Sequence, residues 1–238
     1  GENNPGRILL EKTLATMYQW HNYGKSTIGA RSDVENVDIG NLKAFYQRYY
    51  QPDNATLIVS GKFDVAKVLT WVQQSFGAIP KPKRVLPPLY TLDPVQDGER
   101  SVTVRRVGGV PLLFAAYHVV PGAHPDYAAV EILSSIYGEA PSGRLHRRLT
   151  EQQLVASVFG FSQGLADPGQ ILLGAQLSSE QDPAKAAQAM LAEIESVAKQ
   201  PITEAELARA KTKWLNEWEQ GFADPEHVGV VLSEAVAL

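Results

Sequence analysis

The sequence predicts an α+β fold of two similar domains, each with an antiparallel or mixed sheet that carries helices on one face. Of the 238 residues, 44% are hydrophobic and 20% are charged, which is typical of a globular chain with one or two packed domains. Apolar segments of strand type occur in neighbouring pairs between segments of helical period. Paired strands favour an antiparallel sheet, whereas single strands alternating with helices would favour a parallel one.

The first part of the sequence is predicted to contain three helices and one strand. Pro5 favours the first turn of a helix, and Asp38 or Asn41 can cap the second helix. Asp64 can cap the third. The β-branched apolar run at 55–61 is short enough to be a buried strand. The predicted elements are helices at about 6–20, 42–49 and 65–76 and a strand at 55–61.

A proline-rich stretch follows these elements. Five of the nineteen residues at 80–98 are proline, which locks φ and removes a backbone donor. We therefore predict an extended interdomain linker at 81–98, with a long surface loop inside one domain as the alternative. Residues 1–80 and residues 99–238 would then belong to two different domains.

The second part is predicted to contain four strands and four helices. Asp182 with Pro183 opens one helix, and Thr203 with Glu206 forms a capping box before the last long one. The predicted strands are 101–105, 112–117, 156–161 and 169–177, the last two paired around a turn at 165–168, and the helices are about 125–138, 143–152, 183–197 and 203–218. The final apolar segment, 228–238, has no stop signal, which indicates that the sequence ends inside an element.

Composition excludes several classes of function. Lys and Arg total 22 against 26 Asp and Glu, a net charge of −4, and no basic stripe of the kind found in nucleic-acid binders is present. No run of 18 apolar residues predicts a membrane-spanning helix. Cysteine is absent, which removes disulfides, thiolate metal sites and a cysteine nucleophile. We therefore expect neither nucleic acid nor membrane as a partner.

The residues predict no metal ligand and no catalytic residue in this chain. No two histidines are three or four residues apart, so no helix would present a pair of them on one face. Ser60 lacks the surroundings of a nucleophile elbow, and the segment Gly24-Lys25-Ser26 lacks the earlier glycine of a phosphate-binding loop. The histidines are His21, His118, His124, His146 and His227.

Two further groups of side chains have both an ordinary and a functional interpretation. Arg144 and the basic residues at 146–148 form either a solvated face or a contact for an acidic substrate or partner. Trp214 and Trp218 are four residues apart in an amphipathic segment, which predicts that both are core residues rather than a partner surface.

Several short motifs also follow one another in a characteristic order. The most specific is the segment 37–61, which ends in Tyr50-Gln51-Pro52-Asp53-Asn54-Ala55-Thr56-Leu57-Ile58-Val59-Ser60-Gly61. The others are Glu2-Asn3-Asn4-Pro5, His21-Asn22-Tyr23-Gly24, Phe76-Gly77-Ala78-Ile79-Pro80, Ser142-Gly143-Arg144-Leu145 and Ala208-Arg209-Ala210-Lys211. Together, over essentially the whole chain, they resemble the insulinase/pitrilysin-type zinc metallopeptidases, the inverzincin family.

The resemblance implies a bacterial-type zinc metalloendopeptidase that hydrolyses peptide bonds with a zinc-activated water. The family holds zinc with two histidines of a His-x-x-Glu-His helix and a later glutamate, and that motif does not occur in this sequence. The resemblance therefore implies a fragment, truncated at both ends, whose parent carries the zinc site upstream. Residues 1–80 would be the C-terminal part of the first, zinc-bearing type of domain, and residues 99–238 a second domain truncated at its C-terminus. The fragment itself should bind no zinc and be inactive. The alternative is a non-catalytic structural or partner subunit of the same family.

Two positions depart from the family's pattern. In the half without zinc, an arginine and a tyrosine stabilise the tetrahedral intermediate, and the nearest positions here are Thr150 and Ala156. The resemblance therefore implies a second homologous half, in a homo- or heterodimer, and a peptide or unfolded protein as substrate, held in extended form against a sheet edge. It also favours the bacterial periplasm or cell envelope over the cytoplasm.

Overall fold

The computed structural model describes residues 4–238, which form two compact units. The sheet unit comprises residues 4–25, 92–218 and Leu238, and the helical unit comprises residues 26–91 and 219–237. The helices are α1 (Pro5–Met17), α2 (Arg31–Asn36), α3 (Ile39–Tyr49), α4 (Val65–Phe76), α5 (Tyr127–Gly138), α6 (Pro183–Glu195), α7 (Glu204–Gly221) and α8 (Pro225–Ala237). The strands are β1 (Leu112–His118), β2 (Ser157–Gln163) and β3 (Gln170–Gln176). Glu2 and Asn3 of the first motif lie outside the described residues.

The three strands form one antiparallel sheet in the order β1–β3–β2. Ala175 of the central strand lies opposite Leu113 on one side and Val158 on the other. The predicted α+β class and the pairing of two strands around the 165–168 turn are therefore confirmed. Within the described residues, β1 and β2 each keep one edge without a partner strand.

One face of the sheet carries the main core. Leu173 and Ala175 point to this face, because alternate residues of a strand point to opposite sides. There they meet α5 and α6, which cover the sheet. The fully buried side chains of this core include Leu145, Leu149, Leu177 and Met190.

The opposite face of the sheet is covered by α1. The Tyr18 hydroxyl donates to Gln170 Oε1 at 2.9 Å and to the Pro168 carbonyl at 3.1 Å, and its ring meets that of His118 edge-on at 4.9 Å. Arg100 donates to the Met17 carbonyl at the end of α1. The prediction of helices on one face only is thus corrected, because α1 packs against β1 on the face opposite α5 and α6.

Two predicted strands, 55–61 and 101–105, do not form. A strand satisfies its N–H and C=O groups on a neighbouring strand, and within the described residues neither segment has one. Leu57 accordingly remains 57% exposed. The predicted helix at 143–152 is reduced to a turn of π-helix at His146–Thr150.

The helical unit contains α2, α3, α4 and α8, and its described residues form no strand. A second sheet of the predicted kind is therefore not confirmed. The unit is held by contacts such as the bidentate Arg84–Asp53 ion pair, at 2.8 and 2.9 Å, and the Ser60 hydroxyl, which donates to the Pro225 carbonyl at 2.6 Å. The predicted domain boundaries around 81–98 stay a prediction.

Candidate functional site

The histidines do not come together into a metal site. Within residues 4–238, no group of three or more His, Cys, Asp or Glu side chains could hold a metal ion. The residues present therefore do not fit zinc. Their neighbours are Asp167 for His21 (3.2 Å), the Tyr18 ring for His118, Asp126 for His124 (3.7 Å), Glu151 for His146 (3.9 Å) and Gly221 for His227.

The basic residues at 144–148 do not form one surface. Arg144 is buried and its guanidinium makes two 2.9 Å contacts with the Glu206 carboxylate. Arg147 instead donates to the Ser142 carbonyl at 2.6 Å. Neither a solvated face nor a contact for an acidic partner describes Arg144, because its buried guanidinium is paired with Glu206.

Thr150 and Ala156 offer no replacement for the donors that the resemblance implies. Thr150 ends the π-helical turn, and its hydroxyl is buried without a hydrogen-bond partner. Ala156 lies exposed just before β2 and carries only a methyl group. Neither side chain can supply a positive charge or a phenol hydroxyl to an oxyanion.

A cavity of about 390 Å³ lies beside the unpaired edge of β2. Three elements line it, all in the sheet unit: α5 on one side, β2 at the base and the middle of α7 on the other. The lining residues that carry the argument below are Glu131, Ser135, Glu139, Gly160, Lys213 and Trp214.

The hydrogen-bond register shows which groups of β2 face this edge. Val119 N donates to the Gly169 carbonyl at 3.0 Å, so the odd-numbered residues of β3 bond to β1. In an antiparallel sheet the even-numbered residues of β3 then bond to the odd-numbered residues of β2. The N–H and C=O groups of Val158, Gly160 and Ser162 therefore point away from the sheet.

Close packing of α5 on β2 shapes one side of the cavity. A Cβ atom on Gly138 would lie 2.2 Å from the Gly160 nitrogen, so the two backbones meet without side chains between them. At the other end of α5, the Tyr127 hydroxyl forms a hydrogen bond with Ser162. These contacts hold α5 against β2 while leaving the outer edge of the strand uncovered by any other strand of the described residues.

The charges in the cavity are unevenly paired. The hydrogen bond of Lys213 to Glu217 raises the pKa of the ammonium group, and so does the charge of Glu139, which lies 3.6 Å away. The Ser135 hydroxyl donates to Glu139 at 2.9 Å. By contrast, burial alone raises the pKa of Glu131, with no charged neighbour among the causes.

The two tryptophans are not core residues. Their rings stack at 5.2 Å with 12° between the planes, but Trp218 is 40% exposed and Trp214 is only half-buried. On α7 the buried positions are Glu206 and Ala210. Only the first part of this helix is embedded in the core, and Trp214 contributes to the cavity wall instead.

Sequence reasoning missed the cavity, although one signal was available. Glu131, Ser134, Ser135 and Gly138 recur at helical spacing within the predicted helix at 125–138. A stripe of polar and small residues on a helix that packs on a sheet indicates a close approach of the two backbones or a binding site. The unpaired edge of β2 could not be anticipated, because the strand order is set by tertiary pairing.

Comparison with known proteins connects these features to a family. A family model described as the peptidase M16 inactive domain matches residues 36–213. Zinc protease PqqE of Helicobacter pylori is 30% identical over 214 residues, which cover 88% of this chain and 48% of that protein. The crystal structure of a protease from Helicobacter pylori superposes with a TM-score of 0.91 at 26% identity and covers 99% of this chain and 58% of that one.

A further structure shares the fold alone. The periplasmic protease PqqL from Escherichia coli has a TM-score of 0.69 at 19% identity, over 97% of this chain and 26% of that one. The chain spans about half the length of the curated relatives it matches. The resemblance drawn from the motifs is confirmed, and this chain belongs to the peptidase M16 family, whose inactive domain its residues 36–213 match.

Proposed function

We propose that this chain is the non-catalytic, peptide-binding part of a zinc-dependent metalloendopeptidase. The zinc that would activate water for peptide-bond hydrolysis would be held upstream, in another part of the parent protein. The observation that carries peptide binding is the unpaired edge of β2 beside the cavity. The zinc proteases among the relatives support the activity of the parent, and the description of the matched domain as inactive supports a non-catalytic role here.

The unpaired edge of β2 suits a peptide in extended conformation. Such a peptide adds as a further strand, and its backbone groups pair with those of Val158, Gly160 and Ser162. Main-chain pairing does not depend on sequence, so it serves an enzyme that acts on unfolded segments. The cavity beside the edge would then accept alternate side chains of the bound strand.

The side chains around the cavity support binding rather than bond cleavage. Three serine hydroxyls lie at the cavity and all are engaged: Ser134 donates to the Glu131 carbonyl at 2.8 Å, Ser135 donates to Glu139, and Ser162 forms a hydrogen bond with Tyr127. No histidine lines the cavity to act as a general base for any of the three serines. Among the residues described, this site therefore has hydrogen-bond partners for a peptide and no serine–histidine pair.

A second homologous half and an envelope location belong to the same proposal. Thr150, whose hydroxyl is buried, and Ala156, which carries only a methyl group, supply neither the arginine charge nor the tyrosine hydroxyl, so another polypeptide, or another half of the parent, would supply those donors. A periplasmic protease among the structures that share the fold supports the bacterial envelope as the compartment. Within residues 4–238, no helix combines the length and apolarity needed to cross a bilayer.

Blocking the edge tests the proposal. In the full chain, Ser162→Pro removes one outward N–H without touching the ladder to β3, since proline is tolerated on the solvent side of edge strands. We expect anisotropy titrations with labelled, unstructured peptides to show about tenfold weaker binding for this variant. Ser162→Ala, which keeps the N–H, should bind like the wild type.

N-methylated peptides provide the complementary test. Methylation of alternate residues removes every second N–H of the ligand, so one methylated series should fail to bind while the other series binds normally. Equal binding of both series, or no effect of Ser162→Pro, would contradict the proposal. It would favour the alternative of a structural or partner subunit without a peptide site at β2.

A further inference from the structure

Glu131 lies on the stripe of α5 that faces β2. Tyr127, Glu131 and Gly138 are spaced by four and seven residues, which places them on one side of the helix. Tyr127 contacts Ser162 and Gly138 contacts Gly160, one on each side of Glu131. The Glu131 side chain therefore lines the cavity at the level of the outward-facing groups of the β2 edge.

The carboxyl group of Glu131 is the uncompensated charge of this cavity. Three carboxylates line it against one ammonium group, and Lys213 is shared between Glu139 and Glu217. In the described part of the chain, the Glu131 carboxyl has neither an ion pair nor a hydrogen bond, although the residue is half-buried. Partial burial without a partner disfavours the ionised form, which is why the pKa of Glu131 is raised.

We propose that a peptide bound along the β2 edge places a Lys or Arg side chain against Glu131, so that the site selects basic residues at one position of the bound strand. The inference rests on the proposed function, because it assigns a preference to the same edge. Charge complementarity and the shared cavity carry it. A basic side chain also fits the wall, since its methylene stem can pack on Trp214 while its charged end reaches the carboxylate.

The physical reason for selectivity is the environment of the carboxylate. A cation that enters the cavity forms a charge-assisted hydrogen bond and offsets the desolvation of Glu131. A neutral side chain of similar length leaves the carboxylate unpaired. Because the bound strand alternates its side chains, the preference should apply to residues of one parity only.

A peptide series tests this directly on the full chain. The probes are labelled nine-residue peptides with an acetylated N-terminus and an amidated C-terminus, so that a single Lys carries the only charge. The position of this Lys is scanned along the peptide, and a matched peptide carries Gln at the same position. At low salt we expect the Lys peptide to bind about tenfold more tightly than its Gln partner at one position. In Glu131→Gln this ratio should fall to about one, while the affinity for the Gln peptide changes less than twofold.

Glu217→Gln is the matched control, because it removes the same charge from the same cavity. Its carboxylate is paired with Lys213, so the Lys preference should persist. A preference that survives in Glu131→Gln, or that falls equally in both variants, would overturn the inference. If Ser162→Pro still weakened the binding of both the Lys and the Gln peptide, the proposed function would stand without the preference for basic residues. Absence of binding by either peptide to the wild type would contradict both.

Discussion

Arg144 and Glu206 form a bidentate ion pair in which the two side chains are only 9% and 11% exposed. Both guanidinium contacts with the carboxylate measure 2.9 Å. Arg144 also donates to the Gln200 and Pro201 carbonyls, and the Thr203 hydroxyl donates to Glu206. The pair therefore connects the segment before the π-helical turn to the start of α7. All three nitrogens of the guanidinium group have a hydrogen-bond partner.

Replacement of Arg144 by Ala should cost about 3–5 kcal/mol of unfolding free energy, because it leaves a buried carboxylate without its partner. Arg144→Lys should recover only part of this, since an ammonium group cannot reproduce the bidentate fork. Urea unfolding measures both. Arg147→Ala is the control, as Arg147 is exposed and donates only to the Ser142 carbonyl. A loss below about 1 kcal/mol for Arg144→Ala would contradict the structural role.

Acid should weaken the same pair in a defined window. The Arg144 hydrogen bonds lower the pKa of Glu206 from 4.5 to about 2 in the folded protein. A lowered carboxyl pKa contributes stability that is fully present above the unfolded value and is lost as the pH falls from about 4.5 towards 2. Glu206→Gln should therefore show a shallower decline of unfolding free energy across this window. If the unfolding free energy declined equally in the wild type and the variant, other carboxylates would account for the acid sensitivity.

The contact between α5 and β2 should not tolerate a side chain. In Gly138→Ala the new Cβ would lie 2.2 Å from the Gly160 nitrogen, a backbone atom that cannot rotate away. We expect a loss of about 1–3 kcal/mol in denaturant melts, together with weaker peptide binding as the cavity deforms. Gly98→Ala is the control, because nothing lies within 4 Å of its Cβ position. Equal stability of the two variants would mean that α5 shifts freely.

Trp218→Ala should cost less stability than truncation of a core leucine. Trp218 is 40% exposed, whereas Leu145 is fully buried and its replacement by Ala should cost about 2–5 kcal/mol. Thermal and urea unfolding of the two variants give the ranking. A larger loss for Trp218→Ala would restore the prediction that the tryptophans belong to the core.

The parent enzyme should need a second half for efficient turnover. Loss of one preorganised oxyanion donor typically costs about 2.7–4 kcal/mol of transition-state stabilisation, and Thr150 and Ala156 replace neither expected donor. A zinc-loaded parent shown by sedimentation to lack the second half should cleave unstructured peptides at least about 100-fold more slowly than the assembled pair. Equal turnover with and without the partner would refute the requirement.

Features that depend on neighbours in sequence could be predicted without the structure. Asp38, Asp64 and Asp182 accept hydrogen bonds from the first turns of α3, α4 and α6, as their positions indicated. The capping box of Thr203 and Glu206 is also confirmed. Caps and helical periods involve residues within one turn, so the sequence alone specifies them. The motif order likewise identified the family.

Features that depend on distant partners were decided only by the tertiary structure. The segments 55–61 and 101–105 have strand-forming residues, yet without a neighbouring strand their backbone groups have nothing to pair with. The unpaired edge of β2 follows from β3 lying between β1 and β2, an order that no local pattern encodes. Glu131 lines the cavity because α5 packs beside that edge, and its carboxylate has no cation because Lys213 is engaged by two other carboxylates. Strand pairing and burial depend on residues far apart in the chain. The sequence alone therefore determined the helix caps, most of the helices and the family, whereas the tertiary structure decided the strand order and the unpaired edge of β2.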